Sequence, residues 1–182
     1  GFIGVVLGLG ATWWTVEHGV RFGAAEAGPW RSFPRSAYAD ADPYTRAAIA
    51  RSGEIPLASA EGLTFLATAD ETGARLDPAC DYVIASPIPA ARFWSLSTTT
   101  ETGRLIANDT GRLAVTSAEV VRDARGRFEV IASSEARPGA WLPLAPGRPF
   151  LLALRLYDTP AAAASGSLTA DQMPRLVRGA CR

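Results

Sequence analysis

The sequence predicts a mainly β protein, an antiparallel jelly-roll-like sandwich with one or two short helices, preceded by an N-terminal transmembrane helix. Three observations support this prediction: an apolar run at residues 2–16, short apolar segments separated by tight polar turns, and a strictly alternating segment at residues 150–157. Short strands joined by repeated turns are typical of sandwiches and jelly rolls. We therefore divide the chain into an anchor at residues 1–18, a connector at 19–41 and a β domain at 42–182.

The apolar run at the start of the sequence is interpreted as a membrane anchor. A helix needs about 20 apolar residues to cross the hydrocarbon layer, and residues 2–16 fall short of this by roughly one turn. Because the sequence begins with Gly1 rather than Met, we expect upstream residues to supply the missing turn. Trp13 and Trp14 close the run, where indole rings prefer the headgroup level, and Glu17 follows in water. This order predicts a single pass through the inner membrane, with the C-terminal domain in the periplasm.

Two other interpretations of the same run stay open. One is a signal peptide cleaved after the small-residue pattern at Ala25–Ala27, although charged residues separate the run from that position. The other is a helix buried in the core. We favour the anchor, and we expect Gly4 and Gly8 to form a small face that packs against a second transmembrane helix. That partner helix would come from another copy of the chain or from a different membrane protein.

Short apolar segments with turn residues between them predict the strands of the β domain. Three of the turns end in glycine, at Gly73, Gly103 and Gly126, and such a glycine takes the left-handed conformation that closes a short hairpin. The alternating segment places leucines on one face and Arg155 with Tyr157 on the other, so that one face points at the core. The predicted strands lie at residues 63–69, 82–85, 92–99, 105–107, 113–116, 127–132 and 150–157.

Two helices are predicted within the β domain. Asp42 and Pro43 are typical of a helix start, because the carboxylate accepts from the free amides and proline suits the first helical position. We expect this helix to end near Arg51, just before a glycine. A second helix is predicted from Thr169, where Gln172 completes a capping box.

Cys80 and Cys181 are the only two cysteines, and they admit two interpretations. In an oxidising compartment, a disulfide between them would tie the C-terminus to the body of the domain and contribute about 4–5 kcal/mol. In a cytosolic domain they would be two reduced, buried thiols. We favour the disulfide because the predicted anchor places the domain outside the cytosol. The spacing of the two cysteines is unlike that of a metal site.

Charge and residue types argue against several classes of function. The chain has 18 basic and 18 acidic residues, so no overall positive field gathers nucleic acid. The only histidine, His18, lies beside the apolar run and far from the β domain. Serine, cysteine or zinc chemistry would need such a base or ligand near its nucleophile. We therefore expect no catalytic residues, no metal and no cofactor.

Four side chains are candidates for binding a ligand. Trp94 lies in a predicted strand and is expected in the core, with stacking on a sugar or an aromatic ligand as the alternative. Trp141 begins a predicted loop between two prolines and is expected to be more accessible. Arg155 faces away from the leucines and requires a carboxylate, a carbonyl or a ligand anion, with Tyr157 on the same face.

Several sequence motifs occur in an order that resembles a known family. They are DPYTRAAIA, ETGARLDPACDYVI, ARFWSLSTTTETGRLIAND and WLPLAPGRPFLLALRLY. In this order they resemble the family catalogued as domain of unknown function 1214, over roughly residues 43–160. The resemblance implies a jelly-roll-like β domain of bacterial origin, often with a signal or anchor, and it implies no reaction. Where the family pattern usually has Asn before Trp-Leu-Pro, this chain has Ala140.

Together these observations predict a membrane-anchored periplasmic accessory or interaction protein. It would be a non-catalytic subunit of, or partner to, a membrane protein assembly, attached to lipid through residues 2–16. The alternative is a β domain of the cell envelope that binds or hydrolyses a small molecule or carbohydrate. In that case we expect its pocket near Trp141 and Arg155.

Overall fold

A computed structural model describes residues 1–17, 23–34, 36, 40–52, 56–57, 61–160 and 168–182. In this part of the chain two α-helices, α1 (Phe2–Glu17) and α2 (Pro43–Ser52), accompany a short 3-10 helix at Ala170–Gln172. The strands are β1 (Ala25–Ala27), β2 (Trp30–Ser32), β3 (Gly62–Ala67), β4 (Cys80–Ala85), β5 (Phe93–Thr99), β6 (Ala114–Thr116), β7 (Glu129–Ser133), β8 (Ala140–Pro143), β9 (Leu151–Tyr157) and β10 (Arg175–Cys181).

These strands form two sheets, which confirms the mainly β prediction. One sheet has the strand order β1-β2-β3-β9-β5-β6, and the other has the order β10-β4-β7-β8. Every pair is antiparallel except β7 and β8, which run parallel because residues 134–139 return the chain to the start of β7. The prediction of a wholly antiparallel domain is therefore wrong at this pair. A jelly-roll winding is not confirmed.

Both sheets contribute side chains to a single hydrophobic core. Leu152, Leu154 and Leu156 of β9 are at most 1% exposed, as the alternating pattern predicted. They belong to the same buried cluster as Tyr82 and Ile84 of the other sheet. Alternate residues of a strand point to one face, so β9 can present all three leucines to this cluster. Burial on this scale contributes about 1.5–3 kcal/mol for each large apolar side chain.

The three predicted glycine turns are confirmed. Gly73, Gly103 and Gly126 have φ values of 82°, 79° and 74°, in the left-handed region that glycine adopts without a steric penalty. In each turn the glycine N–H donates to the carbonyl three residues earlier, over 2.8–3.0 Å. The predicted strand at residues 105–107 is wrong, since only an isolated bridge between Thr99 and Leu105 follows the second turn.

Helix α2 begins as predicted, and the predicted C-terminal helix also begins at Thr169 with its capping box but ends after a single 3-10 turn. The Thr45 N–H donates to Asp42 Oδ1 over 2.9 Å, so Asp42 caps the helix. The segment after Thr169 forms only one 3-10 turn, with Gln172 Oε1 accepting from the Thr169 N–H. Strand β10 then pairs with β4, because Pro174 stops helix growth and residues 175–178 pair regularly with β4 before an irregularity that precedes Cys181.

Sequence patterns missed four strands. The predicted connector at residues 19–41 supplies β1 and β2, and Trp30 of β2 is fully buried. Its indole Nε1 donates to the Pro174 carbonyl over 2.7 Å. Trp141, expected at the start of a loop, lies in β8. Strand β10 replaces the predicted final helix.

The predicted transmembrane helix at residues 1–18 is not confirmed. Helix α1 has 16 residues and rises about 24 Å, less than the hydrocarbon thickness of about 30 Å. In the described part of the chain, none of the helices has the length and apolar character that crossing a membrane requires. His18, the last residue of the predicted anchor, lies outside the described residues.

Candidate functional site

The most unusual surface of the molecule is helix α1, which buries none of its residues. Its large apolar side chains are 52–83% exposed, and they include Phe2, Leu7 and both tryptophans. Soluble monomers rarely expose a contiguous apolar patch larger than a few hundred Å². A helix that is apolar all round normally lies in a protein core or in lipid.

The side chains of α1 divide into a bulky side and a small side. With about 3.6 residues per turn, Gly4, Gly8, Ala11 and Thr15 share one side, and the large apolar residues cover the rest. The small side has no neighbour: a Cβ added at Gly4 or Gly8 would meet nothing within 4 Å. The Thr15 hydroxyl donates to the Ala11 carbonyl over 2.8 Å, so its polar group is satisfied within the helix. The small side is therefore available for close contact with another helix.

Among the described residues, the C-terminal end of α1 contacts α2. Glu17 forms an ion pair with Arg51 of α2, and Thr15 and Val16 are partly buried near this junction. The side chains of Arg51 and Glu17 are 53% and 38% exposed, and such exposed pairs contribute at most about 1 kcal/mol. From Phe2 to Trp13 the large apolar side chains of α1 are more than half exposed.

At the C-terminus, strand β10 is fixed covalently to β4. Cys80 and Cys181 form the predicted disulfide. Next to it, Asp81 Oδ2 accepts from Arg137 over 2.5 Å and from Arg182 over 3.4 Å. Arg137 belongs to the β7–β8 connection, so the disulfide and these ion pairs hold β4, β10 and that connection together.

A second charged cluster joins the β3 turn to β10. Asp70 is 3% exposed, and its carboxylate accepts from Thr72, Ala74 and Arg178. Burial raises the pKa of Asp70, but the hydrogen bonds from Thr72 and Ala74 and the charge of Arg178 outweigh burial, so the pKa lies below its usual value. The neighbouring Arg175 binds Glu71 through two nitrogens, and this hydrogen bonding raises the pKa of the guanidinium. Asp70, Glu71 and Arg175 line an open cleft of about 550 Å³.

The four predicted ligand residues are not brought together. Arg155 and Tyr157 lie on the face of β9 that points away from the core, and the Tyr157 ring is 5.8 Å from the Phe93 ring. Trp94 is 3% exposed and lies in the core. Trp141 lies in the other sheet, half-buried, with its Nε1 donating to the Ser133 carbonyl over 2.9 Å. A pocket shared by Trp141 and Arg155 is not formed by the described residues.

Arg155 has a hydroxyl partner, where a carboxylate, a carbonyl or a ligand anion was expected. Its guanidinium donates to Ser97 Oγ over 3.1 Å, and none of the described carboxylates pairs with it. In the strand register it lies between Thr64 of β3 and Ser95 of β5, so it is flanked by hydroxyl side chains. This row is a polar stripe on the outer face of the larger sheet.

The residues that the structure describes do not form a metal site. The cysteines and acidic residues of this part of the chain nowhere form a group of three that could hold a metal ion. A second open cleft, of about 570 Å³, is lined by Arg122, Phe128 and Arg175. Sequence patterns missed this cleft, because its walls come from segments far apart in the chain. The only local signal was the turn before Gly126, which places Arg122 and Phe128 on its two arms.

Comparisons with known proteins agree with this two-sheet fold. The model of the family described as "Protein of unknown function (DUF1214)" matches residues 61–161, more than half of the chain. The protein therefore belongs to this family. No curated protein matches the chain.

Two solved structures resemble the chain. A crystal structure of the VPA0106 protein from Vibrio parahaemolyticus has a TM-score of 0.60 and 25% sequence identity, over 80% of this chain and 37% of that one. A crystal structure of an uncharacterised protein from Burkholderia cenocepacia has a TM-score of 0.42 and 14% identity, over 96% of this chain and 50% of that one. The chain thus spans half or less of the length of either protein.

Proposed function

We propose that this member of the DUF1214 family is a non-catalytic interaction domain attached to a membrane through α1. The exposure of α1 is the single observation that supports attachment most strongly. The large apolar side chains from Phe2 to Trp13 are each more than half exposed. Each buried methylene is worth about 0.8 kcal/mol, so transfer of this surface from water to lipid is strongly favourable.

The chemistry of α1 favours lipid as its surroundings. Residues 2–16 carry no charge, and the first ionised group, Glu17, follows Trp13 and Trp14. Indole rings prefer the headgroup region, so this order would place the helix end at the interface and the β domain in water. A single pass through the inner membrane remains the finer form of this proposal, as does a jelly-roll winding of the β domain.

The disulfide supports an oxidising compartment for the β domain. Disulfides persist in the periplasm and at the cell surface and are rare in the cytosol. Cys80 and Cys181 are the only cysteines of the chain, and they are paired. We therefore propose that the β domain lies in the periplasm, with Gly4 and Gly8 facing a helix of a membrane partner.

Attachment is tested by liposome flotation. The intact chain should float with vesicles of phosphatidylethanolamine and phosphatidylglycerol, and the double variant Val6→Asp/Leu9→Asp should not. An aspartate at a helix centre costs about 2.5–3.5 kcal/mol in lipid, so two should lower the partition at least about a thousandfold.

The matched control is Leu105→Asp, because Leu105 is 50% exposed and Val6 is 52% exposed. This control should float like the intact chain. Membrane attachment through α1 is wrong if the intact chain stays with the aqueous phase, or if the double variant floats equally well.

A further inference from the structure

The cleft beside the Asp123–Gly126 turn has the size and lining of a small-molecule site. We name it the arginine cleft and define it by Ser86, Arg122, Arg127, Phe128 and Arg175. Its volume of about 570 Å³ lies within the range of about 300–1,000 Å³ that is typical of ligand pockets. It belongs to the β domain and contains no residue of α1.

The arginine cleft is built on a rigid aromatic platform, the Phe128 side chain, which is only 6% exposed and supports the guanidinium of Arg122. The Phe128 ring stacks on the buried Trp94 ring, with the centroids 4.9 Å apart and the planes at 29°. The Phe128 backbone is fixed as well: its N–H donates to Ser86 Oγ over 2.8 Å, and the Ser86 hydroxyl donates to its carbonyl over 3.3 Å. Because these groups are held before any ligand arrives, little conformational entropy would be lost on binding.

Arg122 differs from the other two arginines of the cleft. Arg127 pairs with Asp123 over 2.8 Å, and Arg175 binds Glu71 through two nitrogens. Arg122 has no carboxylate partner among the residues that the structure describes. Its guanidinium carbon lies 5.0 Å from the centre of the Phe128 ring, and one nitrogen donates to the Gly126 carbonyl over 3.0 Å.

The contacts of Arg122 fix its position but leave donors free. A guanidinium carries five N–H donors in a planar fork, and Arg122 uses one of them in a protein hydrogen bond. Its contact with the Phe128 ring is a cation–π interaction, which holds the group beside the platform. The remaining donors match the two oxygens of a carboxylate.

We propose that the arginine cleft binds a small organic carboxylate, with the carboxylate on Arg122 and an apolar body beside Val121, an exposed apolar side chain that also lines the cleft. Of the lining arginines, Arg127 and Arg175 are paired with Asp123 and Glu71, which leaves the guanidinium of Arg122 as the cation available to a ligand. A single available guanidinium, with Glu129 also on the lining, favours a monoanion over a multiply charged phosphate. This binding activity is separate from membrane attachment, because it requires no part of α1.

The test uses 4-fluorobenzoate and its neutral counterpart 4-fluorobenzyl alcohol as probes. Each is titrated into the full chain in detergent micelles, and binding is followed by the fluorine NMR shift and line width of the probe. The wild-type chain should bind the acid at least about tenfold more tightly than the alcohol, as expected for hydrogen bonds to a charged group.

Two variants locate the site. Arg122→Gln should weaken 4-fluorobenzoate binding about tenfold or more. Arg125→Gln is the matched control, because Arg125 is exposed at the tip of the same turn and does not line the cleft. It should change the affinity by less than about twofold.

Two control measurements distinguish a loss of ligand binding from a loss of folding or of membrane attachment. Near-ultraviolet circular dichroism should give the same spectrum for all three proteins, and flotation with liposomes should be unchanged by Arg122→Gln. The proposal is overturned if the wild-type chain does not bind 4-fluorobenzoate up to about 10 mM, a limit near the weakest specific affinities. Equal affinity for the acid and the alcohol, or equal losses in both variants, would overturn it too.

Discussion

Helix α1 and strand β9 are both apolar segments, yet the fold treats them in opposite ways. Strand β9 pairs with β3 on one side and β5 on the other, and Leu152, Leu154 and Leu156 are almost completely buried. Helix α1 keeps its large apolar side chains more than half exposed from Phe2 to Trp13, and near its end Glu17 forms an ion pair with Arg51. The difference shows that apolar content marks a segment for burial, whereas the remainder of the fold decides what buries it.

The largest loss of stability in the β domain should come from removing the disulfide. Replacing Cys80 and Cys181 by serine should lower the free energy of unfolding by about 4–5 kcal/mol, because the bond closes a long loop in the unfolded chain. Urea unfolding followed by circular dichroism measures this change. The α1 variant Val6→Asp/Leu9→Asp should leave the unfolding midpoint unchanged. A large shift in that variant would show that α1 is part of the core after all.

Two leucines, one buried in β9 and one exposed in α1, test the difference between these two segments. Leu154 is 1% exposed in β9, and Leu7 is 68% exposed in α1. Leu154→Ala should cost about 2–5 kcal/mol of stability, because it leaves a cavity in the core. Leu7→Ala should change the free energy of unfolding by less than about 0.5 kcal/mol. Thermal unfolding of both variants in the same detergent gives the contrast, and similar losses would contradict it.

The smallest changes in stability are expected at two ion pairs, one buried and one exposed. Asp70 is buried with Arg178 in the β domain, whereas Glu17 and Arg51 are exposed at the α1 junction. Asp70→Asn should cost on the order of 2 kcal/mol at neutral pH, because it weakens charged hydrogen bonds in a buried site. Glu17→Gln should cost less than about 1 kcal/mol.

The pH dependence of this loss has a definite sign. The pKa of Asp70 is lower in the folded protein than in the unfolded chain, so its ionised form stabilises the fold above the unfolded pKa of about 3.9. That stability is lost as the pH falls through the folded pKa. Unfolding curves measured from pH 7 down to about 2 should therefore bring wild type and Asp70→Asn together in acid. A gap that stays constant with pH would rule out a role for the Asp70 charge.

Local patterns in the sequence were sufficient for much of the fold. Each glycine turn needs only a left-handed residue in a polar loop, so Gly73, Gly103 and Gly126 were identifiable without any tertiary contact. The Asp42 cap and the inward leucines of β9 also follow from neighbours a few residues apart. The family resemblance over residues 43–160 agrees with the match of the family model at residues 61–161.

The same patterns predicted little of the candidate sites. Phe128 becomes a platform only because it stacks on Trp94, and Arg175 reaches the arginine cleft only because β10 pairs with β4. The separation of Trp141 from Arg155 depends on which sheet each strand joins. No local spacing encodes such long-range pairings. The sequence alone therefore could not show that Trp141 and Arg155 lie in different sheets.

By itself, the sequence determined the apolar run of α1, the turns, the face of β9 that turns inward, and the presence of two cysteines able to pair. These properties depend on backbone preferences and on hydrophobic periods within a short stretch of chain. Only the tertiary structure decided that residues 25–32 add two strands, that β8 runs parallel to β7, and that the last strand replaces a helix. Pairing with distant strands supplies hydrogen bonds and burial that outweigh local propensity.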